Sequence, residues 1–176
     1  MNKFNLKKRN VRRKAYFDKN NFLSKNGSDL IKDKLKFISK NIDSCLIIDE
    51  DLNIDLNNFS NTRIINLNDI NLVESKFDAV ISNFSLQIPL FLNSNEIFNR
   101  ILSKLNDNSV FCFNIITSNS MRTLQNIFLE IDEKIYNGAY RRFGPFLETS
   151  KLIEDLNKNK FKDSVVGIDY LEINYS

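Results

Sequence analysis

Short apolar runs alternate along the chain with longer stretches in which apolar residues recur every three or four positions. The runs are too short for helices and have polar flanks, so they predict buried strands. They lie at residues 45–48, 63–67, 77–81 and 110–116. The final segment, SVVGIDYLEINY, is rich in β-branched and aromatic residues and predicts one long strand or a hairpin.

Helical spacing of apolar residues predicts four helices among these strands. Ser28 is predicted to cap the first helix. Asn93 and Glu96 fit a capping box at the start of the second. The third helix is long and amphipathic and covers residues 121–135, and the fourth is centred on Leu152 to Leu156.

This alternation specifies βαβ units and therefore an α/β fold with a mainly parallel sheet. We expect about five strands with helices on both faces, in one domain of 176 residues. Residues 1–28 form a basic N-terminal arm in this interpretation, and residues 29–176 form the α/β core. Because ligands of open parallel sheets bind beyond the carboxyl ends of the strands, the loops after residues 48, 67, 82 and 116 are the places for a site.

The positive charge is concentrated at the N-terminus. The first 17 residues contain seven Lys and Arg and no acid, so a chain of net charge +3 leaves about −4 for the remainder. A solvated segment is the favoured interpretation. The alternatives are a targeting peptide, binding to an anionic lipid surface or an acidic protein, and nucleic-acid binding through residues 3–14.

The composition is that of an ordinary folded protein, with 42% hydrophobic and 27% charged residues. No apolar run approaches the roughly 18 residues of a membrane span, so we expect no membrane span. Cys45 and Cys112 lie inside apolar runs, which predicts buried free thiols rather than a disulfide and suits a reducing cytoplasm. The absence of histidine excludes His-based catalytic triads and the commonest zinc ligand.

Several longer motifs resemble a known family. FDAVISNFSLQIP and ILSKLNDNSVFCFNIIT resemble the fourth and fifth strands, with the helix between them, of class I S-adenosylmethionine (SAM) dependent methyltransferases. FNLKKRNVRRKAYFDKNNFL, NGAYRRFGPF and SVVGIDYLEINY are similar to motifs of the mitochondrial complex I assembly factor 5 group, which is related to the malonyl-carrier-protein methyltransferase of biotin synthesis. The resemblance runs from Phe4 to Tyr175. It implies a shortened Rossmann-like methyltransferase fold in a cytoplasmic bacterial protein.

The chain departs from that family where the first strand ends. The family has a glycine-rich turn there, whereas this chain has Asp49, Glu50 and Asp51. The glycines let the backbone approach the nucleoside, and a Cβ would obstruct it. Each unpaired acid about 4 Å from the SAM carboxylate would cost about 4 kcal/mol at an effective dielectric near 20, although the SAM ammonium and sulfonium would attract acids. The steric argument is the stronger, and it predicts that standard SAM binding is lost.

The resemblance also assigns positions to a site. Those of the SAM pocket are Asp49, Glu50, Asp51, Asp69, Ser82 and Asn83. Those facing a substrate or partner are Ser85, Gln87, Tyr140, Arg141, Arg142, Pro145 and Phe146. For Asp69 the alternative is a loop-capping carboxylate. For the other polar residues the alternatives are loop hydrogen bonding or a solvated surface. No metal site is expected, because the acids do not have the spacing of a calcium-binding loop.

Two functional hypotheses follow. The preferred one is a methyltransferase-like pseudoenzyme that acts through protein contacts, in respiratory complex I assembly if the resemblance holds, and has no cofactor. The alternative is an active SAM-dependent methyltransferase, or an enzyme that modifies protein side chains, with an atypical cofactor pocket. A protein partner is expected in the first case. Missing outer strands would also expose a sheet edge that invites pairing with another subunit.

Overall fold

The computed structural model describes residues 22–48, 59–140 and 142–173. Residues 1–21, the three acids Asp49, Glu50 and Asp51, and Arg141 lie outside the described residues, and so do the expectations attached to them. The chain divides into two compact units. Unit 1 consists of residues 1–85 and 105–114, and unit 2 of residues 86–104 and 115–176.

Unit 1 contains a parallel sheet. Its strands are β1 (Ser44–Ile48), β2 (Asn61–Ile65), β3 (Phe77–Asn83) and β4 (Leu105–Asn114). The strand order is β2-β1-β3-β4, and all three pairings are parallel. The order therefore reverses between β1 and β3, which is the switch point of an open α/β sheet. The α/β class and the parallel sheet are confirmed, and the topology is compatible with a Rossmann-like fold.

The predicted number of strands was wrong, because the described residues form four strands rather than five. Residues 164–173, expected to form the last strand, adopt no regular structure. Apolar alternation specifies which side chains share a face, but a strand also needs a partner for its backbone groups. No backbone hydrogen bond to another described residue holds the 162–173 segment.

Helix α1 (Phe22–Lys36) covers one face of this sheet. Ile31 of α1 is buried against Cys45, Ile47 and Ile81, which lie on that face in register. The predicted cap was wrong: Ser28 lies inside the helix and is buried, and residues 22–28 are helical rather than part of the arm. A serine can cap a helix, but the hydroxyl of Ser28 accepts a hydrogen bond from Asn83 Nδ2 at 3.3 Å instead.

Both cysteines are free thiols, as predicted; Cys45 is buried, whereas Cys112 is half-buried. Both lie on the α1 face, on β1 and β4, with β3 between them. Two strand spacings separate them by roughly 10 Å, beyond the reach of a disulfide. Burial raises the pKa of Cys45 to about 12 and that of Cys112 to about 11.

Thiol reagents should therefore label the folded protein slowly. At pH 8 the thiolate fraction of each cysteine is at least about 100-fold below that of an unfolded chain, so labelling should accelerate by that factor in urea. The same raised pKa values predict that stability falls as the pH rises above about 8.5, where only the unfolded thiols ionise. Ellman's reagent measures the rates, and a Cys112→Ser variant separates the two thiols. Fast labelling of Cys45 in native buffer would contradict the described burial.

Unit 2 contains three helices: α2 (Gln87–Leu102), α3 (Arg122–Tyr136) and α4 (Thr149–Lys158). The predicted capping box is confirmed, since Asn93 interrupts α2 with non-helical backbone angles and its Oδ1 accepts from the Glu96 N–H at 3.2 Å. Ser94 donates to Asp155 of α4 at 2.7 Å, which joins these two helices. Within the described residues, every helix is too short or too polar to cross a membrane.

Candidate functional site

The carboxyl ends of β3 and β4 are joined by two asparagines that pair in register. Asn114 Nδ2 donates to Asn83 Oδ1 at 3.1 Å and to the Gly27 carbonyl at 2.7 Å. Asn83 Nδ2 donates to the Ser24 carbonyl at 2.8 Å. Both amides therefore bind helix α1 to the sheet end. Asn83, a predicted cofactor-binding residue, is buried and its amide group is used in this network.

Gly27 permits this network because α1 passes very close to the strand ends. A Cβ built on Gly27 would lie 2.3 Å from Asn83 Oδ1 and 2.4 Å from Phe84 Cε2. Real Cβ atoms do not approach other atoms so closely, so only glycine fits without a shift. The sequence analysis missed Gly27 and Asn114. The available signal was an isolated glycine within a helical pattern, which costs about 1 kcal/mol relative to alanine and often marks close packing.

Ser82 and Ser85 differ from the asparagines, because their hydroxyls are buried and have no hydrogen-bond partner among the described residues. Ser82 pairs in register with Phe113, and the alternation of a strand places both on the sheet face opposite Asn83. A buried hydroxyl without a partner is costly, by about 1–3 kcal/mol. These two groups are thus the polar atoms near the end of β3 that retain capacity to bind.

Asp69 lies apart from these residues, on a 3-10 helix (Leu67–Leu72) that follows β2. Its side chain is exposed. The alternative loop-capping role was wrong, because Asn66 caps this helix by accepting from the Asn68 N–H at 3.2 Å. The position of Asp69 beside a nucleoside stays a prediction.

In unit 2, Gln87 and Pro145 are brought together by the Gln87 amide. Its Nε2 donates to the Ile116 carbonyl at 2.9 Å and to the Pro145 carbonyl at 2.8 Å, and its Oε1 accepts from the Ile116 N–H at 2.7 Å. A bridge between Thr117 and Leu147 continues this connection. Gln87 therefore holds the loop after residue 114 against the loop before α4, and its amide has no free N–H donor for a substrate.

Arg142 is paired with a carboxylate, although its side chain stays 38% exposed. Its Nε donates to Asp132 Oδ2 at 3.0 Å, and its Nη2 donates to the other carboxylate oxygen. The Tyr140 N–H also donates to Asp132, at 3.3 Å, and the guanidinium lies 5.3 Å from the centroid of the Phe128 ring. The Tyr140 side chain is exposed, and Phe146 is half-buried. Asp132 was missed, although an acid near the apolar side of an amphipathic helix was a visible signal.

The Asp132–Arg142 pair predicts a pH-dependent contribution to stability. The hydrogen bond from Arg142 holds the pKa of Asp132 below its usual value. The pair therefore stabilises the fold above the unfolded Asp pKa of about 3.9, and this stability is lost as the pH falls through the lower folded value. Arg142→Gln should lower the urea midpoint at pH 7, because the buried carboxylate loses its counter-charge.

Arg142→Lys is the matched variant, because it keeps the positive charge but loses the bidentate hydrogen bonding to the carboxylate. The urea midpoint of Arg142→Lys should lie between those of the native chain and Arg142→Gln. The difference in urea midpoint between the native chain and Arg142→Gln should shrink as the pH falls below the unfolded Asp pKa of about 3.9 and through the lower folded value of Asp132. A difference that stays constant from pH 7 to low pH would show that the ion pair is not its cause.

The side chains at these sites are mainly amides and hydroxyls, and few of them are charged. In the described part of the chain, no three His, Cys, Asp or Glu side chains are grouped so that they could hold a metal ion. The polar groups at the strand ends can donate and accept hydrogen bonds, and none is a recognisable nucleophile with an adjacent base. No protein-family model matches the chain, and no curated protein matches its sequence.

Proposed function

We propose that this chain is a methyltransferase-like protein that has lost standard SAM binding and acts through contacts with another protein. The observation that carries the proposal is an exposed apolar stripe on α3, here called the α3 stripe, formed by Ile127, Ile131 and Ile135. These side chains are 47%, 40% and 64% exposed. Their spacing of four residues places them on one helix face.

The α3 stripe is unusual because the apolar face of an amphipathic helix normally packs on a core. The one fully buried residue of α3 is Asp132, which is charged. Exposed apolar patches rimmed by polar residues commonly mark surfaces that bind proteins. The stripe is flanked by Glu130 and Lys134, which give it such a rim. A protein partner is therefore the ligand that this surface fits best.

The loss of SAM binding is supported by two further observations. The amides of Asn83 and Gln87, at positions where the resemblance expects contacts with ligands, are used in internal hydrogen bonds. The sequence places three acids where the family has its glycine-rich turn. Isothermal titration with SAM should detect no binding in the micromolar range. Micromolar binding would overturn the proposal.

The resemblance to the complex I assembly group suggests a subunit of respiratory complex I as the partner. In pull-downs from native cells, Ile131→Ser should reduce the recovery of complex I subunits by about 5-fold or more, because interface anchors each contribute more than about 1 kcal/mol. Leu129→Ser is the matched control, because Leu129 is 46% exposed on a different face of the same helix. Quantitative mass spectrometry measures the recovery. Equal losses in both variants would contradict a role for the stripe.

The second candidate, an active SAM-dependent transferase, is favoured by one observation. The hydroxyls of Ser82 and Ser85 are buried near the end of β3 without partners among the described residues, which leaves them able to contact a ligand. This candidate predicts that SAM or S-adenosylhomocysteine copurifies with the protein. Native mass spectrometry after gentle purification would detect either compound. Repeated absence would count against this candidate and leave the first one standing.

A further inference from the structure

Residues 164–173, here called the C-terminal segment, present an unusual concentration of exposed apolar side chains. Val165 and Tyr170 are each 92% exposed, and Ile168 is 58% exposed. Every residue of the segment is exposed, and none lies in a helix or strand. Its composition of β-branched and aromatic residues is nevertheless typical of a strand. The segment therefore has the side chains of a strand and lacks the pairing of one.

The backbone of the C-terminal segment is equally unpaired. The last backbone hydrogen bonds before it hold Lys160 and Phe161 to the end of α4, and no backbone bond to another described residue follows. The edge-to-face pair of Phe161 and Phe98, with ring centroids 5.5 Å apart, fixes the point from which the segment departs. A strand gains its backbone hydrogen bonds only when another strand lies beside it.

Strand β4 also has backbone groups that no neighbouring described strand pairs with. It is an edge strand of the sheet, because the order β2-β1-β3-β4 gives it one neighbour among the described strands. Its ten residues include one acid, Asp107, and no proline, and a register shift against β3 leaves Val110–Asn114 as its regular, mostly apolar half. Natural proteins rarely leave a long apolar edge open, because it invites pairing with another chain. The opposite edge, β2, is only five residues long and mostly polar.

We propose that the C-terminal segment of one copy of this chain pairs with the β4 edge of a second copy, and that the exchange is reciprocal. The segment comprises ten described residues, which is long enough to span the regular half of β4, Val110–Asn114, a length of about 16 Å. Among the described residues, neither the segment nor the outer edge of β4 has a backbone partner. In a dimer with a two-fold axis, the segment of each copy would pair with the β4 edge of the other copy. Self-complementary two-fold interfaces are the commonest kind. This inference does not depend on the proposed function.

The oligomeric state of the full chain tests the proposal. Sedimentation of the purified protein over a range of micromolar concentrations should show a reversible monomer–dimer equilibrium. The matched variants are Asp169→Pro and Asp169→Thr. Proline removes a ladder N–H and should weaken the dimer by about 100-fold, whereas threonine keeps the N–H, favours strands and should leave the dimer unchanged or tighter. A full-length chain that stays monomeric throughout would overturn the proposal.

Hydrogen exchange supplies the second measurement, which remains informative if the proline variant fails to fold. Amides of the C-terminal segment and of β4 should become protected together as the protein concentration rises through the dimerisation range. Protection of the segment at every concentration in a monomer would show pairing within one chain and would overturn the proposal. A dimer in which the segment amides stay unprotected would also overturn it, because another surface would then form the contact.

Discussion

Replacing Gly27 with alanine should destabilise the protein by about 2–3 kcal/mol. The added methyl carbon would lie 2.3 Å from Asn83 Oδ1 and 2.4 Å from Phe84 Cε2, so at least one of these side chains must move. Asn83 is not free to move without loss, because it is bonded to both α1 and Asn114. Urea unfolding followed by circular dichroism measures the change in the free energy of unfolding.

The sign of this effect is a balance of opposing contributions. Alanine is better than glycine inside a helix by about 1 kcal/mol, which favours the variant. Overpacking a close contact costs about 1–3 kcal/mol. A buried amide that loses its partner costs about 1–3 kcal/mol more. The steric and hydrogen-bond costs together exceed the gain in helix propensity, so we expect net destabilisation.

Gly138→Ala is the matched control for the same chemical change. The nearest atom to a Cβ built there is the Tyr136 carbonyl oxygen at 3.9 Å, which is an ordinary contact. Its effect should lie within about 0.5 kcal/mol of the native chain, as for a surface substitution. If Gly27→Ala behaves like Gly138→Ala, the close approach of α1 to the strand ends is not rigid, and the asparagine network does not define that end of the sheet.

The features that could be predicted from the sequence depend on local patterns. Strands β1 and β3 coincide with the predicted apolar runs 45–48 and 77–81, because a central parallel strand is buried on both faces. Strand β4 overlaps the predicted run 110–116 only over residues 110–114, because its first half is polar. The capping box at Asn93 was predictable because its two partners are three residues apart. The second strand was placed two residues too late, since β2 is an exposed edge and its apolar signal is weak.

The features that could not be predicted depend on partners distant in sequence. Asn83 bonds a carbonyl 59 residues earlier, and Gln87 bonds one 58 residues later. A single sequence shows that such amides can bind a ligand, but it does not show that the protein itself already occupies them. Ser28 shows the same difficulty of prediction. Its local sequence suggests a helix cap, but its hydroxyl instead accepts a hydrogen bond from Asn83 at the end of β3.

These long-range bonds bear on function as well as on stability. An enzyme that binds a polar cofactor must keep some donors and acceptors at the strand ends available for it. Here the amides of Asn83 and Gln87 are used in internal hydrogen bonds, and the buried hydroxyls of Ser82 and Ser85 have no partner among the described residues. The balance favours a protein whose strand-end chemistry is structural, and whose interactions depend on exposed apolar surfaces such as the α3 stripe.

Gln87→Glu tests this structural role with a change of almost no volume. The carboxylate keeps an acceptor for the Ile116 N–H, but it places a negative oxygen against the carbonyls of Ile116 and Pro145, where an N–H₂ group now donates. A charge near the first turn of α2 would gain about 0.3–1 kcal/mol from the helix dipole. Two lost hydrogen bonds and two repelling carbonyls outweigh this gain, so we expect a loss of about 2–4 kcal/mol at pH 7.

The pH dependence of this loss separates charge from packing. Repulsion by two carbonyl oxygens raises the pKa of the new carboxyl in the folded state, so the cost is present above that pKa and is relieved as the pH falls through it. Gln125→Glu is the matched control, because Gln125 donates only one bond, to the Ser120 carbonyl at 2.8 Å. It should cost about 1 kcal/mol or less. Urea midpoints at pH 7 and pH 4 measure both variants. If Gln87→Glu costs no more than its control at pH 7, the amide does not hold the two loops together, and it remains available to a ligand.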